Sequence, residues 1–227
     1  MKDAAIIYPP FEEMCISKFD DDDHIGTSAE PVLRHDAFLM NDEEKMQLIS
    51  QHFAQIMEIL GLDLDDDSLK DTPKRVAKMY VKEIFSGLNP RNKPEITLFE
   101  NKYQYNKMLV EKNISLYSYC EHHFVPIIGK AHVAYMSSGK VIGLSKINRL
   151  VQYYAKRPQV QERLTNQIGE ALKKALDTKN VAVLIDAAHL CVSSRGIKDT
   201  GSSTITSFYS GKFLDEQTKN EFLNLVK

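Results

Sequence analysis

The clearest regular pattern begins after residue 41, where apolar residues recur at steps of three and four. That spacing places them on one face of an α-helix, so it predicts an amphipathic helix. Asn41 can cap the start of this helix, because Glu44 follows three residues later as in a capping box, and Gly61 stands where a helix commonly ends. The apolar face comprises Met46, Ile49, Phe53, Ile56, Met57 and Leu60.

A second helix start follows an acidic linker, at Thr72 and Pro73. Proline suits the first helical turn, where its missing N–H removes no hydrogen bond. Gly87 and Pro90 predict the end of this helix. Its apolar side comprises Val76, Met79, Tyr80, Ile84 and Phe85.

From about residue 109 the period changes to the alternation that is typical of strands. Strands are predicted at about 109–118, 131–135, 180–192 and 203–209, and helices beginning at Ser145 and Val160. Two helices, two strands, two helices and two strands thus follow one another. This order predicts an α+β fold in which helices cover an antiparallel sheet.

The first forty residues show no sustained period and contain the acidic run Asp20–Asp23. We expect residues 1–40 to form a flexible or loosely docked extension, residues 41–107 a helical region, and residues 108–227 the domain that contains the sheet. The acidic run offers cation ligands. Without alternating ligand spacing or a glycine turn, however, such a run is usually a solvated surface.

Composition narrows the class of protein. The 227 residues are 43% hydrophobic, which provides a core and excludes a wholly disordered chain. There is no run of about 18 apolar residues and no signal-peptide pattern, so the expected location is the cytoplasm. Lys and Arg number 29 against 31 Asp and Glu, and this net charge of −2 argues against a general nucleic-acid binder.

The three cysteines, Cys15, Cys120 and Cys191, are too few and too widely spaced for a disulfide framework. Cys120 and His123 are three residues apart, and a thiolate and an imidazole at this spacing can converge on one Zn²⁺ ion. His189 and Cys191 are two apart on a predicted strand, so we expect both side chains on one face. Three ligands with an open fourth position are typical of catalytic zinc.

Two histidines, His122 and His189, then lie beside the metal without a ligand role. They are candidate acid/base groups, because imidazole exchanges protons near neutral pH. A disulfide between Cys120 and Cys191 is the structural alternative, and a cytoplasmic location disfavours it.

A cluster of polar residues predicts an anion site. Ser145 can cap a helix whose N–H groups and dipole attract anions, and Lys146 and Arg149 add two cations on one helical face. Glu162 lies in the first turn of the next helix, where its carboxylate suits either the helix dipole or the N1–H and amino edge of guanine. Arg195 adds a cation near the end of a predicted strand. Each of these residues alone is also consistent with an ordinary surface charge.

These motifs occur in the order and spacing of GTP cyclohydrolase I, and the chain resembles that family of zinc enzymes from about Asn41 to Phe213. Residues 1–40 fall outside the resemblance. The motifs are Asp71–Val76, Cys120–Phe124, Gly143–Arg149, Arg157–Leu164, His189–Cys191 and Arg195–Gly196.

The resemblance implies the T-fold, or tunnelling fold, with residues 108–227 as its catalytic domain. It also implies a homodecamer of two face-to-face pentamers, in which subunits join their sheets into a barrel and active sites lie between subunits. The resemblance also implies roles for individual residues: the zinc ligands are Cys120, His123 and Cys191, and the proton-transfer groups are His122 and His189. The triphosphate is held by Ser145, Lys146, Arg149 and Arg195, with Arg75 supplied by a neighbouring subunit. The purine is bound by Gln161 and Glu162, of which Glu162 anchors the guanine.

The implied reaction begins with hydrolysis at C8 of the guanine ring of GTP. Zinc lowers the pKa of bound water, and a histidine protonates N7. A second hydrolysis releases formate, and the ribose is rearranged to give 7,8-dihydroneopterin triphosphate. In the family, this reaction is the first step of pterin and tetrahydrofolate biosynthesis. Two alternatives stay open: another T-fold enzyme acting on a pterin or deazapurine, and a zinc-stabilised scaffold without catalysis.

Overall fold

The computed structural model describes residues 33–227. Cys15, the acidic run Asp20–Asp23 and most of the expected extension lie outside the described residues. Within the described range, no helix is both long and apolar enough to cross a membrane.

The first helix, α1 (Asp42–Ile59), begins and ends as its pattern predicts. The Asn41 side chain accepts a hydrogen bond from the Glu44 N–H, and the Glu44 carboxylate accepts one from the Asn41 N–H, both at 2.9 Å. After the helix, Gly61 adopts a φ of +82°, a left-handed conformation that favours glycine. The predicted capping box is therefore confirmed.

The second helix, α2 (Thr72–Lys78), carries proline in its first turn and packs against α1. It continues as a π-helical segment, Met79–Ile84, and then as two short 3₁₀ turns. The apolar spacing gives no sign of the π-helical segment, because its side chains still fall near helical positions.

Within residues 33–227, seven strands form two sheets. A two-stranded antiparallel sheet pairs β1 (Leu98–Glu100) with β4 (Lys140–Ile142). The main sheet has the order β5-β2-β3-β6-β7, and all its pairs are antiparallel except β2 with β5. Its strands are β2 (Met108–Cys120), β3 (Pro126–Met136), β5 (Pro158–Gln159), β6 (Val181–His189) and β7 (Thr204–Tyr209).

Helices cover both faces of the main sheet. The core on one face packs the sheet against α3 (Leu144–Ala155) and α4 (Gln161–Leu176), for example Val133 against Leu150 and Ile168. On the other face, Phe213 and Phe222 pack against Ala134 and Ala182. Phe222 belongs to the last helix, α6 (Glu216–Val226). Alternation along β3 separates the two faces and confirms the predicted α+β architecture.

Several elements depart from the sequence prediction. The prediction of a strand through residue 192 was wrong, since β6 ends at His189 and a short helix, α5 (Leu190–Ser193), follows. The pattern also missed β1, β4 and β5, because strands of two or three residues show no period. It missed α6 as well.

Candidate metal centre and active site

A tight turn between β2 and β3 carries the residues with metal-ligand chemistry. Two backbone hydrogen bonds close it: the Cys120 N–H to the Val125 oxygen and the Phe124 N–H to the Cys120 oxygen, both 2.9 Å. Phe124 has a φ of +54°, which reverses the chain after His123. We call residues 120–125 the metal turn.

The third candidate ligand, Cys191, reaches the metal turn by a route that the sequence does not predict. It lies in α5 rather than on a strand, so the expectation that Cys191 and His189 share a strand face was wrong. The chain turns into α5 directly after His189, whose Cα is paired with that of Ile127 at the start of β3. This register places α5 beside the metal turn.

The structure brings Cys120, His123 and Cys191 together. Their candidate ligand atoms all lie within 4.8 Å of one another, so these residues could hold a metal ion. Tetrahedral zinc separates sulfur and nitrogen ligands by roughly 3.5–3.8 Å, so small side-chain movements would bring all three onto one ion. Both cysteines are free thiols, and the disulfide alternative is therefore not what the structure contains.

The two thiols of the group lie close enough to affect each other's ionisation. Burial, and then the adjacent Cys120 thiol, raise the pKa of Cys191, whereas the Arg195 guanidinium lowers it. A metal ion removes the repulsion between two thiolates, because both are then bonded to a positive centre. Arg195 also donates to His123 Nε2 at 3.0 Å, which places this guanidinium beside the ligand set.

His122 lies within the metal turn, between a thiol and a carboxylate. Its Nδ1 is 3.7 Å from Cys120 Sγ, and its Nε2 is 3.8 Å from the Glu121 carboxylate. Glu121 is in turn bound by both terminal nitrogens of Arg163, at 2.6 and 3.1 Å. Arg163 is buried, so this bidentate ion pair anchors the metal turn to α4.

His189, the second candidate acid/base group, is half-buried at the end of β6. Its Nε2 is 2.7 Å from Gln161 Oε1. Burial lowers the pKa of His189, and the Glu162 carboxylate opposes that effect. The first turn of α4 therefore supplies two of the groups that surround this ring, Gln161 by contact and Glu162 by charge.

Three of the predicted anion-binding residues belong to α3 and lie away from the metal turn. α3 runs alongside β2, with Gln152 donating to the Ser115 oxygen and Ser118 donating to the Ala155 oxygen. Because a helix rises about 1.5 Å per residue, Ser145 lies about 15 Å back along the axis from Ala155, away from the Cys120 end of β2. Within one chain, therefore, the metal turn is separated from Ser145, Lys146 and Arg149.

The prediction that Ser145 caps α3 was wrong. Gly143 occupies the N-cap position, no side chain caps the helix, and Ser145 is its second residue. Leu144 and Ser145 are exposed, so water can satisfy the free N–H groups of the first turn. Arg75, in α2, is also exposed and lies 4.0 Å from Asp71.

Comparison with known proteins decides the family. A model of the GTP cyclohydrolase I family matches residues 49–227. The chain is 62% identical over 206 residues to GTP cyclohydrolase 1 of Flavobacterium johnsoniae, which covers 91% of this chain and 92% of the relative. This chain belongs to the GTP cyclohydrolase I family. It is also 53% identical over 204 residues to the GTP cyclohydrolase 1 proteins of Citrobacter koseri and Escherichia coli (strain K12 / DH10B), with 89% of this chain and 92% of each relative covered.

A more distant likeness links this GTP cyclohydrolase I family member to the crystal structure of the apo archaeosine synthase QueF-Like. The identity is 19% and the TM-score 0.39, over 46% of this chain and 93% of that chain. That likeness is too remote to bear on the site. Family membership, together with the antiparallel sheet and its helices, confirms the predicted T-fold class.

Sequence reasoning about this GTP cyclohydrolase I family member missed the groups that hold the site in place. Glu121 and Arg163 form the anchor of the metal turn, and Thr165 and Thr206 contact each other beside Gln161. Their spacing carries no signal, since these partners are at least 41 residues apart. Only the packing of α4 against the sheet brings them together.

Proposed function

We propose that this protein is a GTP cyclohydrolase I, which opens the imidazole ring of GTP, releases formate and yields 7,8-dihydroneopterin triphosphate. One observation carries the proposal: a chain of this family places Cys120, His123 and Cys191 within 4.8 Å of one another, beside His122 and His189. The proposed metal ligands and proton-transfer groups therefore lie at one end of the sheet.

Zn²⁺ is the proposed ion at the Cys-His-Cys group. Two thiolates and one imidazole are the donors that zinc prefers, and three protein ligands leave a fourth position for water. The chemistry that zinc supplies is a lowered pKa of water, which makes a nucleophile available near neutral pH.

The surrounding side chains would handle the protons and the base. His122 lies in the metal turn and His189 at the end of β6, so one can protonate N7 of guanine while the other serves the later hydrolysis. Glu162 is exposed, and its charge acts on the His189 ring, so it lies near enough to anchor the N1–H and amino edge of guanine. Arg195, beside His123, would contact the triphosphate.

A second copy of the chain completes the proposed site. Ser145, Lys146 and Arg149 are the proposed triphosphate contacts, yet they lie about 9 to 15 Å of helix away from the metal end of β2. Arg75 in α2 would likewise come from a neighbouring subunit. The proposed assembly is a homodecamer of two pentamers, with each site built between subunits.

The edges of the main sheet support such an assembly. Within residues 33–227, β7 pairs only with β6, and β2 beyond its last two residues pairs only with β3. Unpaired edges favour addition of a strand from another copy, and repeated addition would close a barrel. The cytoplasm is the proposed location, since the two free thiols of the site require a reducing compartment.

The decisive experiment incubates the zinc-loaded protein with GTP. We expect formate and a pterin to form in equal molar amounts. The pterin is measured by its fluorescence after oxidation. A metal-replete protein that produces neither would contradict the proposal. It would favour a zinc-stabilised scaffold, or a T-fold enzyme that acts on another pterin or a deazapurine.

A further inference from the structure

The side-chain amide of Gln161 is bound on every side by the protein. The residue is 1% exposed. Its Nε2 lies 2.8 Å from the Thr204 carbonyl oxygen, 3.2 Å from the Ile185 carbonyl oxygen and 3.1 Å from Thr206 Oγ1. Both amide hydrogens are therefore committed within the chain, and neither is left to bind a purine.

The partners of Gln161 fix which way its amide points. The carbonyl oxygens of Ile185 and Thr204 accept hydrogen bonds only, so the amide nitrogen must face them. The amide oxygen then faces His189 Nε2, at 2.7 Å. Because that oxygen is also an acceptor only, His189 must donate, and Nε2 carries the proton of the ring.

Thr165 holds the backbone of Gln161 as well, and Thr206 in turn contacts Thr165. Thr165 is buried, and its hydroxyl lies 2.8 Å from the Gln161 carbonyl oxygen, to which it donates. Its oxygen can then accept from Thr206 Oγ1, 2.7 Å away on β7. α4 and β7 together therefore restrict the position of Gln161, and through it the plane of the His189 ring.

We propose that Gln161 is a positioning residue for His189, holding the neutral ring as the Nε2–H tautomer so that Nδ1 is the nitrogen that exchanges protons with the substrate. This assignment departs from the expectation that Gln161 lies against the purine. Its catalytic consequence rests on the proposed cyclohydrolase function, whereas the tautomer itself does not. Among the described residues, no side chain or backbone group is hydrogen-bonded to Nδ1, which keeps that nitrogen available.

The test combines a spectroscopic signature with kinetics. Zinc-loaded protein labelled with ¹³C,¹⁵N-histidine is studied by magic-angle-spinning NMR, and the His189 signals are assigned by their loss in His189→Asn. We expect the Nε2–H tautomer in the wild type. In Gln161→Met we expect the Nδ1–H form to appear and kcat to fall about 10- to 100-fold, with KM for GTP unchanged.

Gln167→Met is the matched control. Gln167 is also a buried glutamine of α4, and its amide oxygen accepts from Gln159 at 2.9 Å rather than from a histidine. The same substitution there should preserve both the His189 tautomer and kcat.

Two outcomes would overturn the proposal. One is an Nδ1–H tautomer in the wild type, which decides the matter even if Gln161→Met does not fold. The other is a Gln161→Met protein whose tautomer and kcat are unchanged while KM rises, as for a substrate contact. A wild type with the Nε2–H tautomer and no turnover of GTP would support the tautomer assignment and contradict only the proposed enzymatic function.

Discussion

At the scale of single residues, the two histidines beside the metal turn have different surroundings. His189 is half-buried and held by Gln161, whereas His122 is exposed next to Cys120 and Glu121. A ring held by a buried amide keeps a fixed tautomer, whereas the His122 ring is exposed to solvent. The two imidazoles are thus suited to different proton-transfer steps.

Replacement of His122 by alanine should separate catalysis from metal binding. We expect GTP turnover to fall about 10²- to 10⁴-fold, because a general acid or base is lost, while the zinc content stays at one ion per chain. His52→Ala, which removes an exposed histidine of α1, is the control and should keep full activity. Metal analysis and the formate assay check both variants. Loss of zinc in His122→Ala would instead identify His122 as a ligand.

Another histidine, His132, should make stability depend on pH. It is buried in β3, and burial lowers its pKa below the ordinary 6.5, with Lys112 acting in the same direction and Asp186 opposing them. Below pH 6.5 the unfolded chain therefore binds a proton that the folded chain does not. Stability contributed by the neutral ring is complete above pH 6.5 and is lost as the pH falls toward the lowered folded value.

Urea unfolding of the wild type and of His132→Gln across pH 5–7.5 tests this prediction. The free energy of unfolding of the wild type should fall more steeply below pH 6.5 than that of the variant, by about 1.4 kcal/mol for each unit by which the pKa is lowered. Parallel curves would show that His132 does not contribute.

The candidate ligand residues were predictable from sequence, but one reason for predicting them was wrong. The spacing of Cys120 and His123 corresponds to the metal turn. Cys191, in contrast, joins them from a short helix, because β6 ends at His189. Spacing reveals ligands that one turn holds together, whereas a ligand from another element depends on where that element ends.

At the scale of elements, α4 holds the site in place. Its first turn carries Gln161 and Glu162, and Arg163 binds the Glu121 carboxylate of the metal turn. The arginine side chain is 4% exposed, so solvent screens the ion pair weakly. The position of the metal turn therefore depends on the position of a helix that contributes no ligand.

Glu121→Gln should weaken this anchor without touching a ligand. The neutral amide cannot pair with both guanidinium nitrogens as a carboxylate does, so the metal turn loses its fixed position. We expect zinc affinity to fall about 10- to 100-fold, measured by competition with a chelator. Glu170→Gln removes an exposed ion pair with Lys173 on the same helix and should leave the affinity unchanged. Equal affinities in the two variants would mean that the anchor has no effect on the metal.

Long elements were predictable and short ones were not. The periods of α1 and α4 extend over several turns, and the structure contains both helices. By contrast, β5 has two residues, yet it pairs with Tyr119 and Cys120 and so fixes the end of β2. A strand of that length has no sequence period, although its position in the fold matters for the site.

At the scale of the whole molecule, the proposed site extends beyond one chain. Sequence analysis grouped Lys146 and Arg149 with the metal ligands by resemblance, and the fold places them toward the opposite end of β2. A sequence lists residues without saying which copy of the chain supplies them. The length and direction of α3 place Lys146 and Arg149 away from the metal turn of their own chain, and this distance indicates that another copy supplies them.

Mixing two inactive variants tests whether sites are shared. Lys146→Ala removes a proposed triphosphate contact, and His122→Ala removes a proton-transfer group. If a site takes these residues from different subunits, random co-assembly of equal amounts leaves about a quarter of the sites intact. We therefore expect GTP turnover near that fraction of wild-type activity in co-expressed protein. Activity no higher than the average of the two separate variants would place both residues in one subunit's site.

The open edges of the main sheet have a consequence for the fate of a chain that fails to find its partners. Among the residues that the structure describes, these edges of β2 and β7 have no strand partner, and N–H and C=O groups that would accept a neighbour in register also accept strands out of register. A folded but unassembled chain should therefore form aggregates instead of a lasting monomer. Light scattering of the wild type, diluted until the subunits dissociate, would show this as growth of large particles, whereas a stable monomer would contradict the prediction.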